Sequence, residues 1–303
     1  METPTNTTGN YLDIIFDELK ERIVHVNFTQ SFTKSISKAA LINLNKEYEI
    51  TKEQGRESSI KHRTNMICND ILQDQKIVIG SKSASYEEHQ KILLLQHNRQ
   101  YQWLLVEAYE AFEEYLAKLY AYFGYRDNDF WEKKDFKKQP ADEIKTKSLD
   151  WFIKEAKNKK RQPESILGQM NKNIPSLDKI LAARKREDPL VDYEFTVVLV
   201  SRLRHRIVHC RGYADKNKFT SSLLAAQPLA TKLKNEKHDY TDLINAHFGR
   251  GELENLIALL EVPDPSSELS GLFIDRLGIL LGRITSYAML LHVLATNHFA
   301  KGK

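Results

Sequence analysis

Over residues 101–123, apolar side chains recur every three or four positions, at Tyr101, Leu104, Leu105, Ala108, Phe112, Tyr115, Leu116, Leu119 and Phe123, with Glu107, Glu110, Glu113 and Glu114 between them. That spacing follows the 3.6-residue turn of an α-helix with one face buried and one wet. It predicts a long amphipathic helix stopped near Gly124. The same period runs from Leu269 to about His298 through Leu272, Phe273, Leu280, Ile284, Tyr287, Ala288 and Leu291. A third helix is expected over residues 11–26. An all-α fold is therefore the expected class.

A fourth helix is expected from Pro189 to about Arg211. Asp188 can cap it, Pro189 suits a first helical position and Gly212 can terminate it. The valine-rich run 195–200 also suits a buried strand, because β-branched side chains favour sheets. The punctuation and length favour the helix. Residues 126–176 are polar and lysine-rich, with Trp131, Trp151 and Phe152 as isolated anchors, and read as an insertion carrying short helices. Residues 215–239 read as a second polar connection. Residues 1–85 are expected to form a helical extension of unknown role, with Lys76–Gly80 (KIVIG) as its only plausible short strand. The main helical domain is expected over residues 86–303.

With 303 residues, 41% of them hydrophobic, the chain can build a core without covalent staples. Cys68 and Cys210 are far apart and lack CxxC spacing, which argues against a disulfide framework or a cysteine zinc site and fits a reducing compartment. The start METPTNTTGN lacks the basic and apolar regions of a secretion signal. The longest apolar stretch, residues 271–296, is interrupted by Asp275, Arg276 and Arg283, which are costly in a bilayer. A cytoplasmic protein with no membrane partner is expected.

The net charge of +4 is modest, but it is unevenly placed. Residues 131–161 hold eleven Lys or Arg against six Asp or Glu, and residues 202–211 hold four arginines and no acid. On a helix, Leu199, Leu203, Ile207 and Cys210 form an apolar stripe, while Arg202, His205, Arg206 and His209 share the adjacent face at i, i+3, i+4 and i+7. Arg204 lies roughly 140° around the helix from His209, so it must curl round to join them. RNA cleavage needs a group to take the ribose 2′-hydroxyl proton and cations to hold the negative charge gathering on the phosphate. Histidine and arginine supply both, and the scheme needs no cofactor and no metal. The competing expectation is that the two histidines are surface residues beside arginines that grip phosphate, making the chain a non-catalytic RNA-binding or protein-interaction module.

Arg204-His-Arg-Ile-Val-His209 resembles the signature of the HEPN superfamily, an Arg followed after four to six residues by a His, late in a helix of a bundle. The resemblance covers roughly residues 90–298 and does not extend to residues 1–85. It implies a HEPN-like bundle of long antiparallel helices that dimerises, so that two motifs meet in one cleft and cut RNA without metal. Carried over by position, Arg204 stabilises the phosphate, His209 is the general acid or base and His205 fills the polar second position. Arg202 also satisfies the longer spacing, so the choice between the two arginines stays open. Arg206 and Arg211 are expected to bind RNA, and the lysines of residues 133–160 to guide it. Some toxin members carry a tyrosine two residues after the histidine; here that position is Arg211. The resemblance further implies a toxin or antiviral-defence effector of the abortive-infection kind, restrained by an antitoxin or inhibitor or triggered by a phage-derived activator.

Overall fold

The computed structural model describes residues 8–54, 62–131, 141–159, 161–187, 191–225, 240–264 and 272–300. Helix dominates them, and the fold is all-α. In chain order the elements are α1 (Thr8–Glu53), β1 (His62–Asp70), β2 (Gln75–Ala84), α2 (Tyr86–Arg126), α3 (Ala141–Ile144), α4 (Leu149–Lys159), α5 (Pro163–Asn173), α6 (Pro175–Glu187), α7 (Tyr193–Cys210), α8 (Lys216–Leu224), α9 (Thr241–Asn245), β3 (Val262–Pro263), β4 (Phe273–Ile274) and α10 (Arg276–Ala300). The chain divides into two compact units, one of residues 1–27 and 102–303 and the other of residues 28–101. The division expected near residue 85 thus falls inside the second unit, and the first turns of α1 belong with the larger one.

In the larger unit, the predicted stripe of α2 is buried: Leu105, Ala108, Phe112, Leu116 and Leu119 are fully inaccessible. Gly124 does not stop this helix, which runs on to Arg126. A Cβ at Gly124 would lie 2.6 Å from Cδ1 of Trp131. The glycine is there so that the indole can lie against the helix, where its Nε1 donates to the Tyr120 carbonyl at 2.9 Å. Trp131 stacks on Tyr120 and meets Phe152 edge-on. The described part of residues 126–176 carries the expected short helices, and with Ile144, Ile166, Leu167 and Met170 also buried it contributes to the core.

The C-terminal helix begins at Arg276, where the Asp275 carboxylate accepts the Gly278 N–H at 2.8 Å as a cap. The expectation that it includes Leu272 and Phe273 is corrected. Phe273 pairs in the short β3–β4 ladder, and both side chains are exposed. Leu269 lies outside the described residues. By length and composition α10 could cross a membrane. It instead buries Leu277, Leu280, Leu281, Ile284, Tyr287, Ala288 and Leu291 within the unit and packs on α6 and α7.

Within residues 1–85, where a helical extension with one short strand is expected, the smaller unit holds a nine-residue β1 paired antiparallel with β2, which contains the predicted KIVIG run. The turn between them is an Asx turn, in which Asp70 Oδ1 accepts from the Leu72 and Gln73 amides and Asp74 sits at φ 47°. A reciprocal capping box then starts α2. The Glu88 carboxylate accepts the Ser85 N–H at 2.7 Å, and Ser85 Oγ accepts the Glu88 N–H at 3.3 Å.

Candidate functional site

The 195–200 run is helical, and its residues Phe195, Val197, Leu199 and Val200 are fully buried. Helix α7 starts at Tyr193, capped by Asp192, whose carboxylate accepts the Phe195 N–H at 2.8 Å. This corrects the start expected at Asp188 and Pro189, both of which lie outside the described residues. Asp192 is more than a cap. It also accepts from Tyr240 at 2.7 Å and pairs with Lys185 at 2.8 Å. Although burial pushes its pKa up, the hydrogen bonds from Lys185, Phe195 and Tyr240 outweigh that and hold the carboxyl below its ordinary value.

The other end of α7 is clamped. Arg211 and Gly212 take positive φ, at 55° and 79°, and turn the chain out of the helix, with the Gly212 N–H still bonded to the Arg206 carbonyl at 3.1 Å. The Gly212 carbonyl accepts from Ile257 N at 2.8 Å, and Ala214 N donates to Asn255. From α2, the buried Gln102 carboxamide donates to the Ile257 carbonyl at 2.7 Å. The end of the helix that carries His209 is thereby fixed by backbone from residues 255–257 and by one side chain of α2.

Between these anchors Leu203 and Ile207 are buried and Cys210 is half-buried, as the stripe predicts. Arg202, His205, Arg206 and His209 are all exposed. The imidazoles of His205 and His209 lie 4.7 Å apart, centroid to centroid. Slight desolvation, then His209, Arg206, Arg202 and Arg204 in that order, hold the His205 pKa below the usual histidine value, which favours its neutral form. Arg206 Nη1 also approaches Cys210 Sγ at 3.7 Å.

Arg204 does not join this face. Its Nη2 donates to Glu110 Oε1 at 3.0 Å, on α2, in a pair with the arginine 30% and the glutamate 49% exposed. Burial raises the pKa of nearby Glu113, with Glu110 and Glu164 adding to the rise and Arg204 opposing it. Glu110 was legible only as one of the acids on the wet face of α2. Its pairing with a residue 94 positions away has no local signal.

No family model, curated protein or solved structure matches this chain. What the site can do therefore rests on its own chemistry. Two adjacent imidazoles with Arg202 and Arg206 beside them can exchange protons and hold an anion. Arg211 is exposed one residue past the helix, where it can extend the cationic strip. Of the lysines expected to guide RNA, Lys145, Lys154 and Lys157 are exposed, while Lys133, Lys134, Lys137 and Lys138 lie outside the described residues. Among the described residues, no group of three or more His, Cys, Asp or Glu could hold a metal ion.

Proposed function

We propose that this chain is a metal-independent endoribonuclease of the HEPN type, working in the cytoplasm as a homodimer whose two α7 helices meet over RNA. The observation that carries the reading is the exposed face of α7, where His205 and His209 lie 4.7 Å apart with Arg202 and Arg206 on the same face. His209 moves the proton at the ribose 2′-hydroxyl or at the leaving oxygen. His205, kept largely neutral by its surroundings, supports it. The arginines hold the negative charge that develops on the phosphate. Arg202 suits that role better than Arg204, which is already paired with Glu110. Arg206 and Arg211 grip the flanking backbone. Such an enzyme fits a toxin or antiviral-defence effector, held in check by an antitoxin or inhibitor or released by a phage-derived activator.

The test is cleavage of a mixed RNA pool in EDTA by wild type and by His209→Ala, each checked for folding and oligomeric state. Cleavage by the wild type alone supports the proposal. If wild type that is folded and dimeric leaves the RNA intact but retains it on a filter, the arginines only grip phosphate and the chain is an RNA-binding module.

A further inference from the structure

Outside α7, the larger unit holds a second cluster of cationic side chains. His247, which follows α9, is 3% exposed, and its Nδ1 is buried with no hydrogen-bond partner among the described residues. Its backbone is fixed on both sides. The N–H donates to the Ile244 carbonyl at 3.1 Å, and the carbonyl accepts from Ala258 N at 2.8 Å. The carbonyl of the same Ala258 accepts from Arg276 Nη1 at 3.2 Å. Arg276 opens α10 and is only 8% exposed. Arg283 lies two turns along on the same face, since seven steps of 100° return to within roughly 20°.

A buried arginine ordinarily carries a carboxylate. Among the described residues Arg276 has none. Its guanidinium donates to the Ala258 carbonyl, while burial and then Arg250 push its pKa below the usual value with no acid offsetting them. The His247 imidazole has similar surroundings, because burial first, then Arg276 and Arg283, push its pKa down. Three arginines and one buried imidazole are thus gathered about Ala258. Arg250 is exposed, so the cluster reaches solvent.

We infer that this cluster is a binding site for a phosphate group, carried either by the free ion or by a phosphomonoester such as a nucleotide. A phosphate dianion brings the negative charge that buried Arg276 otherwise lacks, and its several oxygens can meet guanidinium forks and an imidazole N–H together. A carboxylate, with one charge and two oxygens, fills only one fork. His247 suits a donor because its cationic neighbours keep it neutral, with one ring nitrogen carrying the proton. The inference is independent of the nuclease reading. The site nonetheless adjoins the clamp on α7, since Phe248 bridges to Ile257, whose N–H holds the Gly212 carbonyl.

The experiment is equilibrium dialysis of the full chain against radiolabelled inorganic phosphate at constant ionic strength, with circular dichroism of every variant. It is run on the wild type and on an Arg202→Ala, Arg206→Ala variant, which removes the competing arginines of α7. That variant should still retain one phosphate per chain. In its background, Arg276→Met should weaken retention at least about thirtyfold, as removal of a buried charge partner does. Arg250→Ala, an exposed change, should weaken it about fivefold and keeps the inference testable where Arg276→Met does not fold. Adenosine monophosphate in the dialysate separates the two sources: displacement assigns the site to a phosphomonoester, and retention assigns it to the free ion. The inference is overturned if the Arg202→Ala, Arg206→Ala variant retains no phosphate, or if a folded Arg276→Met or Arg250→Ala protein binds it as tightly as its parent.

Discussion

Replacing Gly212 with alanine should loosen the end of α7 by a calculable amount. At φ 79° an alanine sits in the left-handed region, at a cost of about 1 kcal/mol. Its Cβ would also lie 2.8 Å from Cδ of Gln102, and closer still to Nε2. The carboxamide must therefore move away from the buried Ile257 carbonyl that it now meets at 2.7 Å. Losing that hydrogen bond costs about 0.5–1.5 kcal/mol. The sum, about 1.5–2.5 kcal/mol, should appear as a lower urea midpoint by circular dichroism. A Gln102→Ala background separates the two contributions. There the clash and the hydrogen bond are both absent, and Gly212→Ala should cost only the backbone part, about 1 kcal/mol. Equal costs in the two backgrounds, or a cost below about 1 kcal/mol in the wild type, would refute the clamp.

Two further outcomes follow from buried or paired charges. His247 is fully buried, and desolvation first, then Arg276 and Arg283, push its imidazole down to about 3. The unfolded chain takes up that proton near pH 6.5 while the folded chain refuses it. Stability should therefore fall by about 1.4 kcal/mol per pH unit as pH drops below 6.5, towards 3. Urea midpoints at pH 7.5 and 5.5 should show the slope, and a His247→Gln variant that keeps it unchanged would remove His247 as the cause. At the site, Arg202→Ala should lower RNA cleavage roughly a hundredfold or more with stability altered by less than about 0.5 kcal/mol. Arg204→Ala should cost about 0–1 kcal/mol, the range of an exposed pair, and slow cleavage less. The reverse ranking in single-turnover rates would give the phosphate to Arg204.

Much of this was legible locally because helix periodicity is a local property. The stripe of α2, the helical nature of the 195–200 run, the termination of α7 at Gly212 and the shared face of Arg202, His205, Arg206 and His209 all follow from spacing along one helix. The Ser85–Glu88 capping box was equally readable but went unrecognised, so α2 starts fifteen residues before the first stripe position, Tyr101. β1 was missed for a different reason. HRTNMICND alternates nothing, since the hairpin is largely exposed and no buried face imposes a period on it.

By itself, then, the sequence determined which residues share a helix face, because side-chain direction there is set by 100° steps along a single chain. It determined the all-α class and the cationic face of α7. Only the tertiary structure decided what each face meets. Gly124 looked like a stop until Trp131 filled the space over it, and Phe273 looked like part of the last helix until its pairing with β3 placed it in a strand. Arg204 lies against Glu110, a partner distant in sequence that no spacing announces. Such contacts join segments whose separation carries no periodic signal, and packing alone brings them together.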